Sequence, residues 1–374
     1  MVRYLSSYKG EYKVFAVSRC KETTDYLRSL NLNVGEFSED TLTIYPDNIV
    51  IDILESERER MSVFEAFDVL EINTNGIIYR WYADAEGDAG IATTSLCNSN
   101  CIMCPASENE RRQLQTMSVE RLDEVIRHMP KDLWNFTITG GEPTLIGEDA
   151  FVHVLNTVKN ELPDTKILLL TNGRTLGDKG FFERFNAERP KFMRVAIPIH
   201  GSTAEKHDYI TQAKGSFDQT VRAIANLLRV KTETEIRIVV SKLNCDDILN
   251  IAKFIVAVFP SVSIVNFVGL EMRGNCAAHA EEVLISYQEA FQKSKEAIKL
   301  LISCGIDVGL YNFPYCMIDK NYWPIAQKSI SAYKSVFNDE CENCLLQEEC
   351  CGIFQATKNF YKPKVYPIVD GESQ

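Results

Sequence analysis

Three cysteines lie close together at Cys97, Cys101 and Cys104, in the stretch SLCNSNCIMCPAS and the spacing C-x3-C-x2-C. A structural zinc site uses four tetrahedral ligands, usually from two C-x2-C pairs, and the nearest candidate fourth ligand, His128, lies in a predicted helix. A [4Fe–4S] cluster held by three thiolates instead leaves one iron without a protein ligand, and that iron can bind a substrate or cofactor. We therefore interpret the motif as an open iron–sulfur site rather than as zinc ligands or three unconnected thiols.

Strands and helices alternate around this motif. Short β-branched runs predict strands at 90–95, 135–140, 166–173, 192–201, 234–241 and 262–271. Amphipathic stretches predict helices at 118–129, 148–161, 177–187, 217–230, 246–258 and 286–303, with Ser118 and Asp246 as capping candidates. Six alternations indicate an α/β fold with a parallel sheet, and six rather than eight repeats favour an open, partial (β/α)6 barrel. Active sites in such folds form at the C-terminal ends of the strands, and the cysteines directly follow the first strand.

Two regions of different character flank the predicted barrel at 89–305. Residues 1–88 form a small β-rich N-terminal domain, with a hairpin signal at Asn75-Gly76. Residues 306–374 form a cysteine-rich C-terminal domain, which a last strand in GIDVGLYNFPYC would introduce. We therefore expect three domains.

Composition excludes several classes of protein. The chain of 374 residues carries a net charge of -12, which argues against general nucleic-acid binding. The N-terminus lacks the apolar core of a signal peptide, and no apolar run is long enough to span a membrane. A cytoplasmic location follows as an expectation, and in a reducing cytosol the clustering of seven of the twelve cysteines indicates metal binding rather than disulfides.

A second motif, Gly140-Gly141-Glu142-Pro143, ends the second predicted strand. Two glycines allow a ligand to approach the backbone closely, and a carboxylate can accept hydrogen bonds from an ammonium group. By itself this tetrapeptide is equally well explained as a tight turn. Here, however, the tetrapeptide follows the C-x3-C-x2-C motif by one strand–helix unit, and this combination of two motifs is much more specific than either motif alone.

Together, the two motifs resemble those of the radical S-adenosylmethionine (SAM) superfamily over residues 89–305. The resemblance implies that Cys97, Cys101 and Cys104 bind a [4Fe–4S] cluster whose fourth iron chelates SAM. Reductive cleavage of SAM then yields methionine and a 5′-deoxyadenosyl radical that abstracts hydrogen from the substrate. An external electron donor such as flavodoxin or ferredoxin is also implied.

The same resemblance implies a set of SAM contacts. These are Met103 beside the adenine, Gly140, Gly141, Glu142 and Pro143 at the methionine ammonium group, Asn172 after strand three, Arg237 at the carboxylate, and Gly269 near the adenine. For Arg237, a salt bridge is the alternative. Strand four ends in IPIHG where many members place a serine for the ribose, so His200 or Ser202 would substitute.

The tail sequence DECENCLLQEECCGIF contains a second cysteine group, with the spacing C-x2-C-x5-C-C-G. It resembles the auxiliary-cluster domains of the SPASM and twitch type. The expected ligands of an auxiliary [4Fe–4S] cluster are Cys316, Cys341, Cys344 and Cys350, with Cys351 as a competitor for the last position. Spacing alone fits tetrahedral zinc equally well. A cluster with four protein ligands would transfer electrons and not chelate substrate.

Several further stretches resemble the His-Xaa-Ser system radical SAM maturase of the C type. They are FDVLEINTNGIIYRWY, PIHGSTAEKHD, EIRIVVSKLN, VGLEMRGNC, LYNFPYC and SISAYKS. The resemblance implies a ribosomally made precursor peptide, encoded nearby, as substrate and a sister radical SAM enzyme as partner.

Polar and aromatic residues after the strands are candidate peptide contacts. They are His200, His207, Asp208, Glu271 and Arg273. Tyr311 and Tyr315, near Cys316, are instead expected to line the path between the two clusters. Solvated or packing roles are the alternatives for all of them. Residues 1–88 could bind a leader peptide by adding a strand to a sheet edge, or be purely structural.

Peptide maturation by hydrogen abstraction and oxidation, such as cross-linking, is the function that these features favour. The alternatives are a glycyl-radical activase, a small-molecule radical SAM enzyme, a catalytically inactive binding partner and a zinc-binding interaction module. The auxiliary cysteines favour a net oxidation of the substrate, because such a reaction needs an acceptor for the electron that remains after hydrogen abstraction. The intact cysteine and GGEP motifs argue against an inactive partner.

Overall fold

A computed structural model describes residues 3–85, 87, 89–113 and 116–369. Residue 88, where we expect the first domain boundary, and residues 370–374 at the end of the last expected domain lie outside the described residues. Contacts between Cα atoms divide the chain into two compact units. The first unit is Met1–Thr94, Thr116–Leu169 and Arg184–Met193, and the second is Ser95–Gln115, Leu170–Glu183 and Arg194–Gln374.

The N-terminal part of the first unit is a seven-stranded mixed sheet with two helices. Its strands are β1 (Arg3–Leu5), β2 (Lys13–Ser18), β3 (Val34–Phe37), β4 (Thr41–Tyr45), β5 (Ile49–Asp52), β6 (Val69–Ile72) and β7 (Ile77–Tyr82), and its helices are α1 (Lys21–Ser29) and α2 (Glu55–Met61). The strand order is β1-β7-β6-β2-β3-β4-β5. The predicted hairpin is confirmed, because β6 pairs with β7 in antiparallel fashion and Gly76 takes a φ of +78°.

Both faces of this sheet are covered. Phe15, Phe64 and Ile72 belong to a buried cluster on one face, while Ala16 and Val34 pack against Leu27 of α1. Successive side chains of a strand point to opposite faces, so the central strands β2 and β6 are buried along most or all of their length.

Eight parallel strands follow. They are β8 (Gly90–Ala92), β9 (Asn135–Thr139), β10 (Lys166–Leu170), β11 (Met193–Pro198), β12 (Glu233–Val239), β13 (Ile264–Val268), β14 (Asp307–Tyr311) and β15 (Ala326–Gln327). The strand order is β15-β14-β13-β12-β11-β10-β9-β8. Each strand therefore pairs with its neighbour in the chain, as successive βαβ units require. The predicted α/β fold class with a parallel sheet is confirmed, as is the last strand before Tyr315.

Ten helices of the described residues follow β8. They are α3 (Glu108–Arg112), α4 (Val119–His128), α5 (Glu148–Glu161), α6 (Lys179–Glu188), α7 (Ala204–Thr211), α8 (Ser216–Arg229), α9 (Ile248–Val258), α10 (Gly274–Ala278), α11 (Ala280–Val283) and α12 (Tyr287–Ser303). The six predicted helices are present, while the short helices α3, α7, α10 and α11 were not predicted. None of the helices in the described residues combines the length and apolar character that crossing a membrane requires.

The two capping predictions had different outcomes. The Ser118 side chain accepts a hydrogen bond from the Arg121 N–H and caps α4. The prediction for Asp246 was wrong, because α9 begins one residue later with Asp247 at its N-cap position. Asp246 instead forms an ion pair with Lys293, 2.5 Å between Oδ1 and Nζ.

The C-terminal region has little regular structure. A two-stranded antiparallel ribbon of β16 (Ser335–Val336) and β17 (Ile353–Phe354) is joined to short 3-10 turns. This region belongs to the second unit and contains the tail cysteines.

Candidate metal and SAM site

The loop with the three predicted cluster cysteines follows β8 and lies in the second unit. A hydrogen bond from the Cys104 N–H to the Cys101 carbonyl (3.1 Å) closes a turn within it. Burial, followed by the charges of Cys104 and Cys97, raises the pKa of the Cys101 thiol to about 12.

Two side chains that follow β10 hold one side of this loop. The Asn172 Nδ2 donates to Asn98 Oδ1 (2.6 Å) and lies 3.9 Å from the Cys97 sulfur. The Arg174 guanidinium donates to the Asn98 carbonyl and to Ser99 Oγ (3.2 Å). Asn172 therefore contacts the cysteine loop itself, in addition to the SAM contact that we predicted, and Arg174 was not anticipated.

The middle of the loop is bound by backbone hydrogen bonds to the end of α7. The Asn100 N–H donates to the Thr211 carbonyl and the Ile102 N–H donates to the Ile210 carbonyl, both at 2.9 Å. Met103, the predicted adenine neighbour, is buried.

The other side of the loop contacts the short helix α10, which follows β13. The Asn275 Nδ2 donates to the Cys101 carbonyl (3.2 Å), and the Cys276 N–H donates to the Cys104 carbonyl (3.0 Å). These two residues were not predicted to contact the loop. The available signal was that they lie in the connection after a parallel strand, because such connections gather at the functional edge of the sheet.

The glycine pair of the GGEP motif lies in the first unit, after β9. A Cβ on Gly140 would stand 2.5 Å from the Thr94 carbonyl oxygen, and Gly141 donates its N–H to the same oxygen at 2.7 Å. The first glycine is thus required by a close backbone approach within the protein.

Glu142 is fully buried beside this turn. Its Oε1 accepts hydrogen bonds from the Thr144 hydroxyl (2.7 Å) and N–H (3.3 Å), and so caps the 3-10 turn that begins at Pro143. The carboxylate is therefore held in a defined orientation by its own turn. Its contact with the SAM ammonium group stays a prediction.

Arg237 projects from β12 in the second unit and forms the salt bridge that was the alternative for this residue. Its Nε donates to Glu235 Oε1 (2.6 Å), and Glu235 is 1% exposed. The guanidinium carbon lies 5.6 Å from the ring centroid of Tyr311. Among the described residues, only the Nε of this guanidinium is hydrogen-bonded, so both Nη groups can still donate to a carboxylate.

Gly269 lies just beyond β13, against the end of β14. Its N–H donates to the Tyr311 carbonyl (2.9 Å), and a Cβ would stand 2.8 Å from the Asn312 carbonyl oxygen. A glycine here allows the two strands to stay paired to their ends.

The two candidates for the ribose contact differ in their surroundings. Ser202 donates its N–H and its hydroxyl to the Asp247 carboxylate, both at 2.8 Å. His200 is buried, and its Nδ1 has no hydrogen-bond partner among the described residues. Burial lowers the pKa of His200 well below its ordinary value. Of the two, His200 has the side-chain nitrogen still able to bond.

His207 and Asp208 have structural partners. The His207 Nδ1 accepts the His200 N–H (3.2 Å), and its ring packs edge-on against Phe217. Burial lowers the pKa of His207 to about 4. The Asp208 carboxylate accepts the Ser216 hydroxyl and the Phe217 N–H, each at 2.8 Å, and so fastens the start of α8.

Glu271 and Arg273 also form ion pairs within the second unit. Glu271 Oε2 lies 3.1 Å from the Lys334 ammonium, and Arg273 Nη2 lies 3.0 Å from Glu110 Oε1. A contact of either residue with a peptide stays a prediction.

All four predicted auxiliary ligands line a single pocket in the second unit. These residues are Cys316, Cys341, Cys344 and Cys350. The Ile368 N–H points at the Cys344 sulfur (3.4 Å) and the Gly352 N–H at the Cys350 sulfur (3.5 Å). Burial raises the pKa of the Cys316 thiol to about 11. Backbone N–H groups aimed at thiolate sulfur are the kind of contact that tunes an iron–sulfur cluster, so the pocket fits such a group.

Cys351 does not line this pocket. It is 4% exposed and packs with Ile330 and Phe354 in a small buried cluster. Tyr315 lines the pocket beside Cys316 and packs edge-on against Trp323.

Within the described ranges, no group of three or more His, Cys, Asp or Glu side chains is placed to hold a single metal ion.

Comparison with known proteins adds the family. The sequence profile of the Radical SAM superfamily matches residues 91–255. Mycofactocin maturase MftC of Mycolicibacterium smegmatis is 28% identical over 158 residues, which are 41% of this chain and 38% of that protein. A cysteine-type anaerobic sulfatase-maturating enzyme of Clostridium novyi is 30% identical over 178 residues, 43% of this chain and 45% of that protein. The chain thus matches less than half the length of either relative.

A solved structure shares the fold. The crystal structure of Streptococcus suis SuiB superposes with a TM-score of 0.50 at 14% identity, covering 68% of this chain and 55% of that chain. The profile match contains all three cysteines of the first motif and the GGEP motif. The match to the Radical SAM superfamily thus covers less than half of the chain and includes both motifs that predicted it.

Proposed function

We propose that the protein is a radical SAM maturase that oxidatively modifies a ribosomally made precursor peptide. The observation that carries the proposal is the pairing of two thiol sites of different type in one chain. Cys97, Cys101 and Cys104 form a three-thiol loop, while four other cysteines line one pocket. The first leaves an iron open for SAM, and the second can close a cluster completely.

The first loop would hold a [4Fe–4S] cluster through its three thiolates. With SAM bound, that group supplies a 5′-deoxyadenosyl radical able to take a hydrogen atom from an unactivated carbon. The protein contributes the positions of its ligands. Asn172 and Arg174 hold the loop on one side and Asn275 on the other.

Side chains of this chain would orient SAM. We assign Arg237 to the SAM carboxylate, because Glu235 holds its Nε while both Nη groups face no acceptor among the described residues. A guanidinium fork matches a carboxylate in two parallel hydrogen bonds. His200 takes the place expected for the ribose contact, and the contacts at Met103, Glu142 and Gly269 follow the family resemblance.

The tail pocket would hold an auxiliary cluster through Cys316, Cys341, Cys344 and Cys350. Such a cluster supplies one-electron transfer, which an oxidation removing two hydrogens requires after the first hydrogen atom has left. Flavodoxin or ferredoxin would reduce the SAM cluster, and a sister radical SAM enzyme would be a partner.

The names of the two curated relatives support a peptide or protein substrate. One is a maturase of mycofactocin and the other matures a sulfatase. The finer assignment to the His-Xaa-Ser system, C type, rests on the sequence stretches quoted above.

The test is anaerobic co-expression with the candidate precursor peptide, followed by mass spectrometry, with purified protein assayed for 5′-deoxyadenosine. We expect 5′-deoxyadenosine and a peptide that has lost two hydrogens per event. Cys97→Ala should abolish both, while Cys276→Ala, a buried cysteine outside the motif, should retain both. If the protein cleaves SAM but the peptide is unchanged, the proposed peptide substrate is wrong. If the iron-loaded protein does not cleave SAM, the proposed radical SAM reaction is wrong.

A further inference from the structure

The segment Gly274–Cys276, at the start of α10, runs along the backbone of the cysteine loop. A Cβ on Gly274 would stand 2.5 Å from the Pro105 carbonyl oxygen and 2.5 Å from the Ala106 carbonyl carbon. Gly274 also takes a φ of +57°, in the left-handed region that favours glycine. Only a residue without a side chain therefore allows this approach.

Asn275 uses both ends of its side-chain amide on the loop. Its Nδ2 donates to Asn100 Oδ1 (2.9 Å) and to the Cys101 carbonyl (3.2 Å). Its Oδ1 accepts the Glu108 N–H at the start of α3 (3.0 Å). The amide thus ties the residues before, at and after the central cysteine, and at 6% exposure it does so with little competition from water.

The next residue adds a backbone contact. The Cys276 N–H donates to the Cys104 carbonyl (3.0 Å), while its own side chain is buried with its sulfur 3.5 Å from Met272 Sδ. Its contribution to the loop therefore comes from the main chain. Two of the three predicted cluster ligands are held through their carbonyl groups by consecutive residues.

We propose that Asn275 is a positioning residue for the SAM-binding cluster. It holds the loop of Cys101 and Cys104 in the ligating arrangement before the cluster binds, so the loop loses less conformational entropy on binding. The proposal rests on the proposed function, because it assumes that these cysteines are the cluster ligands. Partners that orient metal ligands typically affect metal affinity by about 10- to 100-fold.

The test compares Asn275→Ala and Asn275→Asp with the unsubstituted full-length protein after anaerobic reconstitution. The alanine removes every side-chain hydrogen bond. The aspartate keeps the size and the acceptor for Glu108, but it presents an oxygen to two acceptor oxygens in place of Nδ2. We therefore expect the aspartate to be at least as disruptive as the alanine.

Two readouts other than turnover are measured. One is the rate of cluster loss to a chelator, and the other is the change that SAM causes in the electron paramagnetic resonance spectrum of the reduced protein. Reading only the SAM-induced change excludes the auxiliary site, whose ligands would leave no iron for SAM. Both variants should lose the SAM-responsive cluster about tenfold faster.

Asn244→Ala is the matched control. Asn244 is also buried and uses both ends of its amide, donating to the carbonyls of Val239 (3.0 Å) and His200 (3.4 Å) and accepting the Ser241 N–H (2.9 Å), but it has no hydrogen bond to the cysteine loop. It should lower the melting temperature comparably and leave the rate of cluster loss unchanged; the SAM-induced change is not read in this control, because His200 is a proposed SAM contact.

The outcomes separate the inference from the proposed function. If the unsubstituted protein responds to SAM and both Asn275 variants match it, the inference is overturned and the proposed function stands. A cluster loss in Asn244→Ala equal to that in the Asn275 variants would also overturn it, because general destabilisation would then suffice. If the unsubstituted, iron-loaded protein shows no response to SAM, the proposed function itself fails.

Discussion

Cys350 and Cys351 are neighbours in the chain, yet only one of them lines the tail pocket. The neighbouring Cys351 side chain, as the largest cause, lowers the pKa of Cys350 to about 6. The same interaction, followed by burial, raises the pKa of Cys351 well above its ordinary value, and the Cys351 S–H donates to the Gly352 carbonyl (3.3 Å). At neutral pH the first is thus poised as a thiolate and the second as a thiol, and metals bind thiolates.

Substituting these two cysteines should therefore have different effects. Cys350→Ala should remove the auxiliary cluster, which is roughly four iron atoms per chain. Cys351→Ala should keep the iron and lower the free energy of unfolding by about 1 kcal/mol, because it trims a packed side chain. Iron and sulfide analysis with urea unfolding checks both. Retained iron in Cys350→Ala with lost iron in Cys351→Ala would reverse our ligand assignment.

Arg237 and Arg194 both lie close to the Glu235 carboxylate, so each serves as a comparison for the other. Arg237 Nε lies 2.6 Å from Glu235, and Arg194 Nη1 lies 3.7 Å from the same side chain. Arg237→Lys keeps the charge but loses the fork, so the dissociation constant of SAM should rise by about tenfold or more, as expected when a charge-assisted hydrogen bond is lost.

Arg194→Lys should leave SAM affinity unchanged. Isothermal titration of SAM into reconstituted protein measures both variants. If both variants and the unsubstituted protein bind SAM with equal affinity, Arg237 does not contact the SAM carboxylate and only forms the salt bridge with Glu235.

Stability should fall in mild acid because of His207. Its folded pKa of about 4 lies below the ordinary value of 6.5, so the unfolded chain binds more protons between these values. The free energy of unfolding should therefore decrease as pH falls from 7.5 to 5, by about 2 kcal/mol from this group. His200, whose pKa is also lowered, acts in the same direction.

Urea unfolding of the metal-free protein at the two pH values measures this dependence. His207→Gln should reduce it, while His153→Gln, at a largely exposed site on α5, should not. An undiminished pH dependence in His207→Gln would show that other groups cause it.

Gly140 should be intolerant of a side chain. Gly140→Ala places a Cβ 2.5 Å from the Thr94 carbonyl oxygen, and a main-chain atom cannot move aside cheaply. We expect a loss of about 2 kcal/mol or more in the free energy of unfolding. Gly180→Ala in α6 meets only Asp178 Oδ1 at 3.4 Å and should raise stability by about 0.5–1 kcal/mol. Thermal and urea unfolding compare the two, and equal stabilities would contradict the close approach.

Secondary structure was predictable where one local rule dominated. The strand β13 and the helix α5 were recognisable because an apolar period or run decides them within the segment itself. The cap of α9 was not, because two consecutive aspartates compete for it. Asp246 pairs with Lys293 of α12 and Asp247 binds Ser202, and neither partner is close in sequence.

The site divides in the same way. Spacing in the sequence predicts which thiols belong together: C-x3-C-x2-C groups the first three, and the tail spacing leaves Cys350 and Cys351 as alternatives. Only the tertiary structure separates these two, because Cys350 lines the pocket and Cys351 packs with Ile330 and Phe354.

The sequence by itself determined the class of fold, and it predicts the chemistry of the thiol motifs, since both depend on residue type and local spacing. Only the tertiary structure decided which residues hold those motifs in place. Arg174 and Asn275 lie far from the cysteines in the chain and reach them through the loops after β10 and β13. Hydrogen bonds between distant loops depend on the packing of the strands that carry them, and no local pattern in the sequence encodes that packing.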